Sequence, residues 1–416
     1  MTEPRTYWIE TLGCPKNQVD SDKLVGTMHA DGLTEADSAE AADLVVVNTC
    51  AFIEEARAES VNTILDLAAA KAPDAELVVT GCLAEREGEA VATAMPEVDV
   101  VAGFGVPVTL GRKPEAPQPP SFDLLNLPRP KSERPWAYVK IAEGCDRACG
   151  FCAIPSFRGP QRSRSRQQIL DEVEQLDAKE IVLVAQDLAS YGRDQGQGSK
   201  SLVPLVQEVA DRVEWVRLLY LYPSELNDTL IDAIGATGVP YFDLSLQHVS
   251  PPLMRRMRRW GDGDRFLERI TAIRNRFPDA AFRSNFIVGY PGETEEDHDQ
   301  LLAFVEQAQL DWCGFFSYSR EDGTYAAQLD SEVDAGLVRD RLGELSELQD
   351  EITARKRDEM VGRRVKVLVD EVGVARSPRE APEIDGIITV PEHVPVGAFT
   401  EVTITASLGP DLEATP

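Results

Sequence analysis

The chain is 416 residues long, and its hydrophobic fraction of 43% and charged fraction of 27% are ordinary for a folded, water-soluble protein. It carries 42 basic against 71 acidic residues, a net charge of -29, which repels nucleic-acid phosphates and suits a basic partner unless a local basic patch overrides it. Alternatively, the acidity only keeps the protein soluble. The N-terminus is polar and the apolar runs are far shorter than a membrane span, so we expect a cytoplasmic protein without a membrane partner.

Near the N-terminus, a short strand-like run, a cysteine and a helical stretch occur in this order three times. "TYWIETLGC" ends at Cys14, "DLVVVNTC" at Cys50 and "ELVVTGC" at Cys82. Strand–helix alternation predicts parallel strands whose carboxyl ends share one edge, so these cysteines should meet there, near helix starts that favour thiolate. One such cysteine would be a small core residue by default. Three at equivalent positions favour metal ligands, since thiols stay reduced in the cytoplasm.

The clearest boundary is the proline-rich stretch from Gly111 to Pro135. Proline removes backbone donors and favours extended chain, so this stretch should lie outside any packed core. We expect a three-unit parallel α/β domain over residues 1–112, a linker over 113–135, a second domain over 136–358 and a third domain over 359–416.

The second domain repeats strand and helix about six times, with strand-like runs such as "WAYVKIA", "EIVLVAQ" and "YFDLSLQ". Six units are too few for a closed eight-fold barrel and predict an open partial (β/α)6 barrel. In barrels of this kind the loops at the carboxyl ends of the strands carry the chemistry. The first of these loops is "EGCDRACGFCAIPSFRG".

That loop holds Cys145, Cys149 and Cys152 in the pattern C-x3-C-x2-C. Three thiolates can bind three irons of a [4Fe-4S] cluster and leave the fourth iron open. Structural zinc would need four ligands, and none of the four histidines is close in sequence. The pattern at the start of a β/α barrel resembles the radical S-adenosylmethionine (SAM) superfamily. The resemblance implies that the open iron binds SAM and that the reduced cluster cleaves it to a deoxyadenosyl radical.

Two other stretches fit contacts to SAM. "FIVGYPGETEED" places glycines at a strand-to-helix turn, where backbone can approach a ligand, although such a turn can also be only a turn. "VAQDLASYG" ends the second strand of the barrel in polar groups. The candidate SAM-binding residues are Gln186, Asp187, Gly289, Pro291, Gly292 and Glu293.

From about Tyr7 to about Leu412, the order of domains is similar to that of the methylthiotransferases within this superfamily. The resemblance implies that Cys14, Cys50 and Cys82 hold a second [4Fe-4S] cluster with an open iron. A sulfur species bound there would be methylated by one SAM and attacked by a substrate radical made with another. The seventh cysteine, Cys313, is expected in the core.

"LGCPKNQVDSD" around Cys14 and "APEIDG" from Ala381 resemble the ribosomal-protein branch of this family. The tRNA-adenosine branch typically has Gly-Cys-Gln-Met-Asn at the first place. The resemblance implies that a methylthio group is added to the β-carbon of an aspartate of small-subunit ribosomal protein S-twelve. An electron donor is then a further partner, and no specific nucleic acid is expected to bind. The alternatives are a tRNA adenosine methylthiotransferase and a non-catalytic iron–sulfur or zinc scaffold.

The last domain reads as all-β, with strand-like runs "RRVKVLVDEV", "EIDGIITV" and "FTEVTITAS", and resembles a small TRAM barrel. From Val361 to Pro416 it holds five basic and nine acidic residues, a difference of −4. That charge favours a basic protein over tRNA as the bound partner. The run "RGPQRSRSR" from Arg158 to Arg166 opposes this, since it could contact phosphate or else pair with nearby acids.

Overall fold

The computed structural model describes residues 5–110 and 124–416. The N-terminal domain contains, in order, β1 (Thr6–Thr11), α1 (Pro15–Ala30), β2 (Thr34–Glu35), β3 (Leu44–Thr49), α2 (Glu54–Ala70), β4 (Glu76–Gly81), α3 (Cys82–Ala94) and β5 (Val100–Ala102). The strands form a parallel sheet in the order β2-β1-β3-β4-β5. β3 is buried along its whole length, as expected for an apolar strand covered on both faces. The carboxyl ends of β1, β3 and β4 therefore lie at one edge, as the sequence predicts.

Glycines allow the chain to turn from strand to helix at this edge. The φ angles of Gly13 and Gly81 are +93° and +89°, in the left-handed region that favours glycine. A Cβ on Gly81 would lie 2.5 Å from the carbonyl oxygen of Thr49, and one on Gly13 would lie 2.9 Å from Sγ of Cys50. These two glycines therefore permit the strand ends to pack closely around the cysteines.

The second domain repeats strand and helix around a curved parallel sheet. Its strands are β6 (Trp136–Lys140), β7 (Ala142–Glu143), β8 (Arg162–Ser163), β9 (Glu180–Val184), β10 (Trp215–Leu218), β11 (Tyr241–Gln247), β12 (Ala281–Val288) and β13 (Trp312–Ser317). Its helices are α4 (Ile154–Arg158), α5 (Arg166–Leu176), α6 (Leu202–Ala210), α7 (Asp228–Gly235), α8 (Pro251–Arg256), α9 (Gly263–Arg276), α10 (Glu295–Ala308) and α11 (Ala335–Asp358).

The parallel strands of this domain follow one another in chain order. β6, β9 and β10 pair in parallel, as do β11, β12 and β13, and an isolated bridge between Leu221 and Leu244 joins the two groups. The predicted open partial (β/α)6 barrel is confirmed. Among the described helices, none is long and apolar enough to cross a membrane.

The C-terminal domain is a closed barrel, which confirms the all-β prediction. Its strands are β14 (Arg364–Glu371), β15 (Val374–Arg376), β16 (Ile388–Thr389), β17 (Phe399–Leu408) and β18 (Asp411–Thr415). The sequence predicts one strand over "EIDGIITV". The first half of this predicted strand is wrong, because only Ile388–Thr389 pairs as a strand in the sheet. Asp385 instead accepts a hydrogen bond of 2.5 Å from the Tyr241 hydroxyl, so a contact with the second domain fixes this segment.

The linker prediction is also wrong in part. Residues 111–123 lie outside the described part of the chain, but Leu124 and Leu125 are buried, with Leu124 packed in the core of the N-terminal domain. Nζ of Lys23 donates to the carbonyl oxygen of Leu125 at 2.5 Å. The side chain of Arg129 lies 2.9 Å from Glu172 of α5, which ties the segment to the second domain. Leu124–Asn126 form a short 3-10 helix, so the proline content of the surrounding chain excludes neither burial nor local structure at these residues.

Buried ion pairs attach the C-terminal barrel to the second domain. Nη2 of Arg376 donates to Glu180 at 2.8 Å, and its guanidinium also contacts Asp370. Glu180 accepts a second hydrogen bond of 2.8 Å from Arg217. Glu180 and Arg217 are fully buried and Arg376 is 2% exposed. Removing one partner from such a group leaves a buried charge without compensation, which is strongly destabilising.

We therefore expect Arg376→Met to lower the free energy of local unfolding of the C-terminal barrel by about 3–5 kcal/mol. Hydrogen–deuterium exchange of the β14 and β17 amides measures this quantity. Arg364→Met is the matched control, because its 3.7 Å pair with Glu401 is exposed and should contribute less than about 1 kcal/mol. Equal protection in the two variants would contradict the proposed attachment.

Candidate active site

A cavity of about 430 Å³ lies between the carboxyl edge of the N-terminal sheet and the loops of the partial barrel. All six predicted ligands line it, three from each domain: Cys14, Cys50, Cys82, Cys145, Cys149 and Cys152. The structure therefore brings together two sets of cysteines that are separated by more than 60 residues of chain. Cys313 does not line this cavity and packs against the main core of the second domain, as expected.

The N-terminal set is held in place by Asn17, a residue that the sequence analysis did not single out. Its Nδ2 donates to the carbonyl oxygens of Leu12 at 2.9 Å and Thr49 at 3.0 Å, which fixes the ends of β1 and β3. Its Oδ1 lies 3.8 Å from Sγ of Cys82. One buried amide therefore connects all three strand ends that carry the cysteines.

The barrel set lies in the loop that follows β7. The backbone N–H of Cys145 donates to Gly159 at 3.1 Å, and that of Gly150 donates to Met257 at 2.8 Å, so the loop is closed at both ends. Nη1 of Arg259 donates to Sγ of Cys149 at 3.2 Å. N–H groups that point at sulfur are a usual way in which proteins tune iron–sulfur clusters.

Arg158 extends from the barrel to the N-terminal set. Its Nη2 donates to Sγ of Cys82 at 3.1 Å and to Oδ1 of Asn17 at 2.7 Å. Its Nη1 forms ion pairs with Glu143 at 2.9 Å and Asp20 at 3.4 Å. These acids, with burial opposing them, raise the pKa of Arg158 well above its usual value, so it stays charged.

Burial dominates the protonation of most of these thiols. It raises the pKa of Cys50 and of Cys152 to about 12 and that of Cys145 to about 11. Burial would also raise the pKa of Cys14, but Lys16, Arg158 and nearby backbone N–H groups lower it overall. Ligation requires thiolates, so binding of a metal group must displace these protons.

The donor chemistry fits iron–sulfur clusters. Each set offers three thiols, and among the described residues no three His, Cys, Asp or Glu side chains converge closely enough to hold one metal ion. A cluster does not require such convergence, because each thiolate binds a different iron. Several residues that line the cavity also have buried polar atoms without a hydrogen-bond partner in the described part of the chain: Oε1 of Gln186, Oδ1 of Asp187, Oδ1 of Asn285, Nε of Arg259 and the hydroxyl of Tyr318.

The predicted SAM-binding residues separate into two groups. Gln186 and Asp187 line the cavity, and Nε of Arg147 holds Asp187 at 2.6 Å. The other four, Gly289, Pro291, Gly292 and Glu293, are not among the residues that line the cavity. Glu293 accepts the N–H of Gly289 at 2.5 Å and pairs with Arg341 at 3.0 Å, so this turn satisfies its own polar groups.

An ion-pair cluster joins the two domains at the wall of the cavity, and nothing in the sequence pattern indicates it. Glu321, which follows β13, is 2% exposed and lines the cavity. Its Oε2 accepts from Arg57 of α2 at 2.5 Å and from Arg86 of α3 at 2.6 Å. Ser319 supports it, donating to Oε1 at 2.5 Å and accepting the N–H of Glu54 at 3.0 Å.

The basic run from Arg158 to Arg166 is used within the protein. Arg164 is 4% exposed and lies 2.6 Å from Glu172, and Arg166 lies 3.0 Å from Glu208. Arg158 is buried against Asp20 and Glu143. The alternative that this run pairs with nearby acids therefore holds for Arg158, Arg164 and Arg166.

Models of three families match the chain in the order of its domains. "Uncharacterized protein family UPF0004" matches residues 6–103, the "Radical SAM superfamily" matches 139–305 and the "TRAM domain" matches 361–416. A radical SAM methyltransferase, TsrM from Kitasatospora setae, has a similar fold, with a TM-score of 0.51 at 15% identity over 75% of this chain and 73% of that one. The partial barrel with its three-cysteine loop, preceded by a second cysteine set, defines a radical SAM methylthiotransferase.

Curated relatives match the chain over its full length. Ribosomal protein uS12 methylthiotransferase RimO of Streptomyces coelicolor is 39% identical, covering 100% of this chain and 97% of the relative. The RimO protein of Cutibacterium acnes is also 39% identical, covering 99% of this chain and 98% of the relative. The chain belongs to the RimO family of ribosomal protein uS12 methylthiotransferases.

The Glu321 cluster should control access to the cavity. We expect Glu321→Gln to raise the rate at which iodoacetamide alkylates the cavity cysteines of iron-free protein by about tenfold at fixed pH. A charge-assisted hydrogen bond contributes about 1.5–3 kcal/mol, and about 1.4 kcal/mol corresponds to tenfold.

Glu332→Gln is the matched control, since Glu332 is an exposed acid paired with Arg320 outside the lining of the cavity. This variant should react at the wild-type rate. Unchanged alkylation in Glu321→Gln, or an equal rise in both variants, would show that the cluster does not restrict access.

Proposed function

We propose that this enzyme adds a methylthio group to the β-carbon of an aspartate of ribosomal protein uS12 (S-twelve), using two SAM molecules and a sulfur donor. Membership of the RimO family supports the reaction and the substrate. The observation that carries the proposal is the shared cavity, because sulfur transfer to a radical requires both cysteine sets to reach one substrate. An electron donor is also required. A ribosomal substrate would place the enzyme in the cytoplasm.

The two cysteine sets have separate roles in this proposal. A [4Fe-4S] cluster at Cys145, Cys149 and Cys152 would supply the electron for cleavage of SAM, and a second at Cys14, Cys50 and Cys82 would hold the sulfur to be transferred. Gln186 and Asp187 are proposed contacts to SAM, because each has one oxygen atom that accepts no hydrogen bond from the described residues. Gly289, Pro291, Gly292 and Glu293 would act on SAM only indirectly, by shaping the end of β12.

The chain's own residues prepare the cavity for radical chemistry. Its walls are largely apolar, with Phe151, Ile154, Phe157 and Ile287 among the lining residues, and such walls exclude water that would quench a reactive intermediate. Phe316, which is 46% exposed, also lines the cavity and offers an apolar contact to an entering peptide.

The acidic surface supports a basic protein as substrate, with one correction to the charge count of the C-terminal barrel. Three of its nine acids and one of its five basic residues, Arg376, are buried in internal contacts and contribute little to the attraction of a partner. Asp370 is 8% exposed, Glu380 is fully buried, and the side chain of Asp385 is 1% exposed. The exposed acids include Glu392 and Glu401. We also propose the domain limits 1–112, 136–358 and 359–416, with 113–135 as a linker that is buried in part.

The two cysteine sets should differ in the step that they support. Alanine at Cys145, Cys149 or Cys152 should abolish SAM cleavage, because the loss of a thiolate destabilises the cluster that binds SAM. Alanine at a residue of the N-terminal set should spare part of the cleavage and abolish methylthio transfer. Both products are measured after anaerobic reconstitution, as 5′-deoxyadenosine and as methylthiolated uS12.

Cys313→Ala is the control and should retain both clusters, because Cys313 lies outside the cavity. If Cys313→Ala loses a cluster, or one of the six other variants keeps both activities, the ligand assignment is wrong.

The substrate choice is tested by charge. We expect tight binding to uS12 that weakens with salt, and no comparable binding to tRNA. Lysine at Glu392, Glu401 and Glu413 together should weaken uS12 binding about tenfold at low salt without changing SAM cleavage. Lysine at Glu35, Asp37 and Glu40, three exposed acids of the N-terminal domain, gives the same net charge change and should have less effect.

Mass spectrometry of uS12 and tRNA from a reconstituted reaction decides between the two substrate classes. A methylthio group on tRNA adenosine, with none on uS12, would overturn the proposal.

A further inference from the structure

The charges that line the cavity are almost all paired within the protein. Its two lining carboxylates are Asp187 and Glu321, and both are held by arginines, as described above. Arg147 and Arg158, two of the lining cations, form ion pairs with acids. Among the described residues of the cavity wall, only Lys16 and Arg259 have no carboxylate partner in the structure.

These two cations differ in their remaining contacts. Arg259 donates to Sγ of Cys149 and to the carbonyl oxygen of Ser245, and its guanidinium lies 4.3 Å from the ring centroid of Tyr222. Lys16 is 9% exposed, and no acceptor for its three ammonium N–H groups is found among the described residues. Its Nζ lies 3.4 Å from the ring centroid of Tyr220. Lys16 is therefore a buried cation at the cavity whose hydrogen-bond donors are free.

The backbone conformation that places Tyr220 against this ammonium group is an uncommon one. Tyr220 has a φ of +63°, a left-handed conformation that is strained for a bulky residue. The N–H of Tyr220 donates to Oδ2 of Asp243 at 2.8 Å, which holds this conformation. The ring contacts the ammonium group of Lys16, and both residues line the cavity that the two cysteine sets share.

We propose that Lys16 binds the side-chain carboxylate of the target aspartate and makes the enzyme selective for an acidic residue. This inference rests on the proposed function. A carboxylate accepts charge-assisted hydrogen bonds from an ammonium group, and the desolvated cavity strengthens them. Because Lys16 is two residues from Cys14, a carboxylate bound to it would place the neighbouring β-carbon beside the cysteine set proposed to hold the sulfur.

The test compares wild type and Lys16→Met, whose side chain has a similar length and no charge. Both proteins are reconstituted, mixed with SAM without reductant, and titrated with uS12 and with uS12 in which the target aspartate is replaced by asparagine. Wild type should bind the aspartate form about ten- to a hundredfold more tightly than the asparagine form. Lys16→Met should bind the two forms alike, at the weaker affinity.

Lys131→Met is the matched control, because Lys131 is 71% exposed and pairs with Asp177 on the surface. It should keep the wild-type preference for aspartate. Iron content, about eight atoms per chain for two clusters, verifies that each variant is intact.

SAM also carries a carboxylate, so its dissociation constant is measured in the same proteins. Weaker SAM binding by Lys16→Met with an unchanged preference for aspartate would assign Lys16 to SAM and overturn the inference. If the wild type modifies uS12 but Lys16→Met still prefers the aspartate form, the inference about Lys16 is wrong and the proposed function stands. Failure of the wild type to modify uS12 at all would instead reject the proposed function.

Discussion

The site depends on a set of buried charges that holds the edge of one parallel sheet against the loops of another. Lys140 of the barrel contacts Asp20 of α1 and pairs with Glu143 at 2.7 Å. Arg158 binds the same two acids and extends to Cys82. Buried ion pairs contribute little net stability compared with apolar packing, but breaking one is costly, so they fix geometry. Here the fixed geometry is the distance between the two cysteine sets.

The sequence predicts the parts of this arrangement that follow from chain order. Strand–helix alternation is sufficient to bring Cys14, Cys50 and Cys82 to one sheet edge, because parallel strands share their direction. It does not predict how one sheet faces another, since that depends on single pairs such as Glu321 with Arg57. In the sequence alone, such residues look the same as ordinary surface charges. Lys16 has a local signal, its place two residues after a ligand cysteine, but its isolation from acids is visible only in three dimensions.

The two wrong predictions have a common physical cause. Local preference alone predicts an extended linker at Leu124 and a strand through Asp385. In both places tertiary contacts decide the outcome, because a buried leucine or a hydrogen bond to Tyr241 contributes more than a weak local preference. Tertiary contacts also decide the role of three arginines in the run from Arg158: Arg158 and Arg164 pair with largely buried acids, and Arg166 pairs with Glu208 at the surface. The number of charged residues in the sequence therefore overstates how many charges the surface exposes.

We expect the shared cavity to hold two iron–sulfur clusters, each on its own set of cysteines. Diffraction at the iron absorption edge from crystals of anaerobically reconstituted protein should then show two separate anomalous peaks inside the cavity, one beside Cys145, Cys149 and Cys152 and the other beside Cys14, Cys50 and Cys82. The two-cluster arrangement is wrong if protein that still transfers the methylthio group shows a single peak at the barrel loop and leaves the N-terminal cysteines unligated.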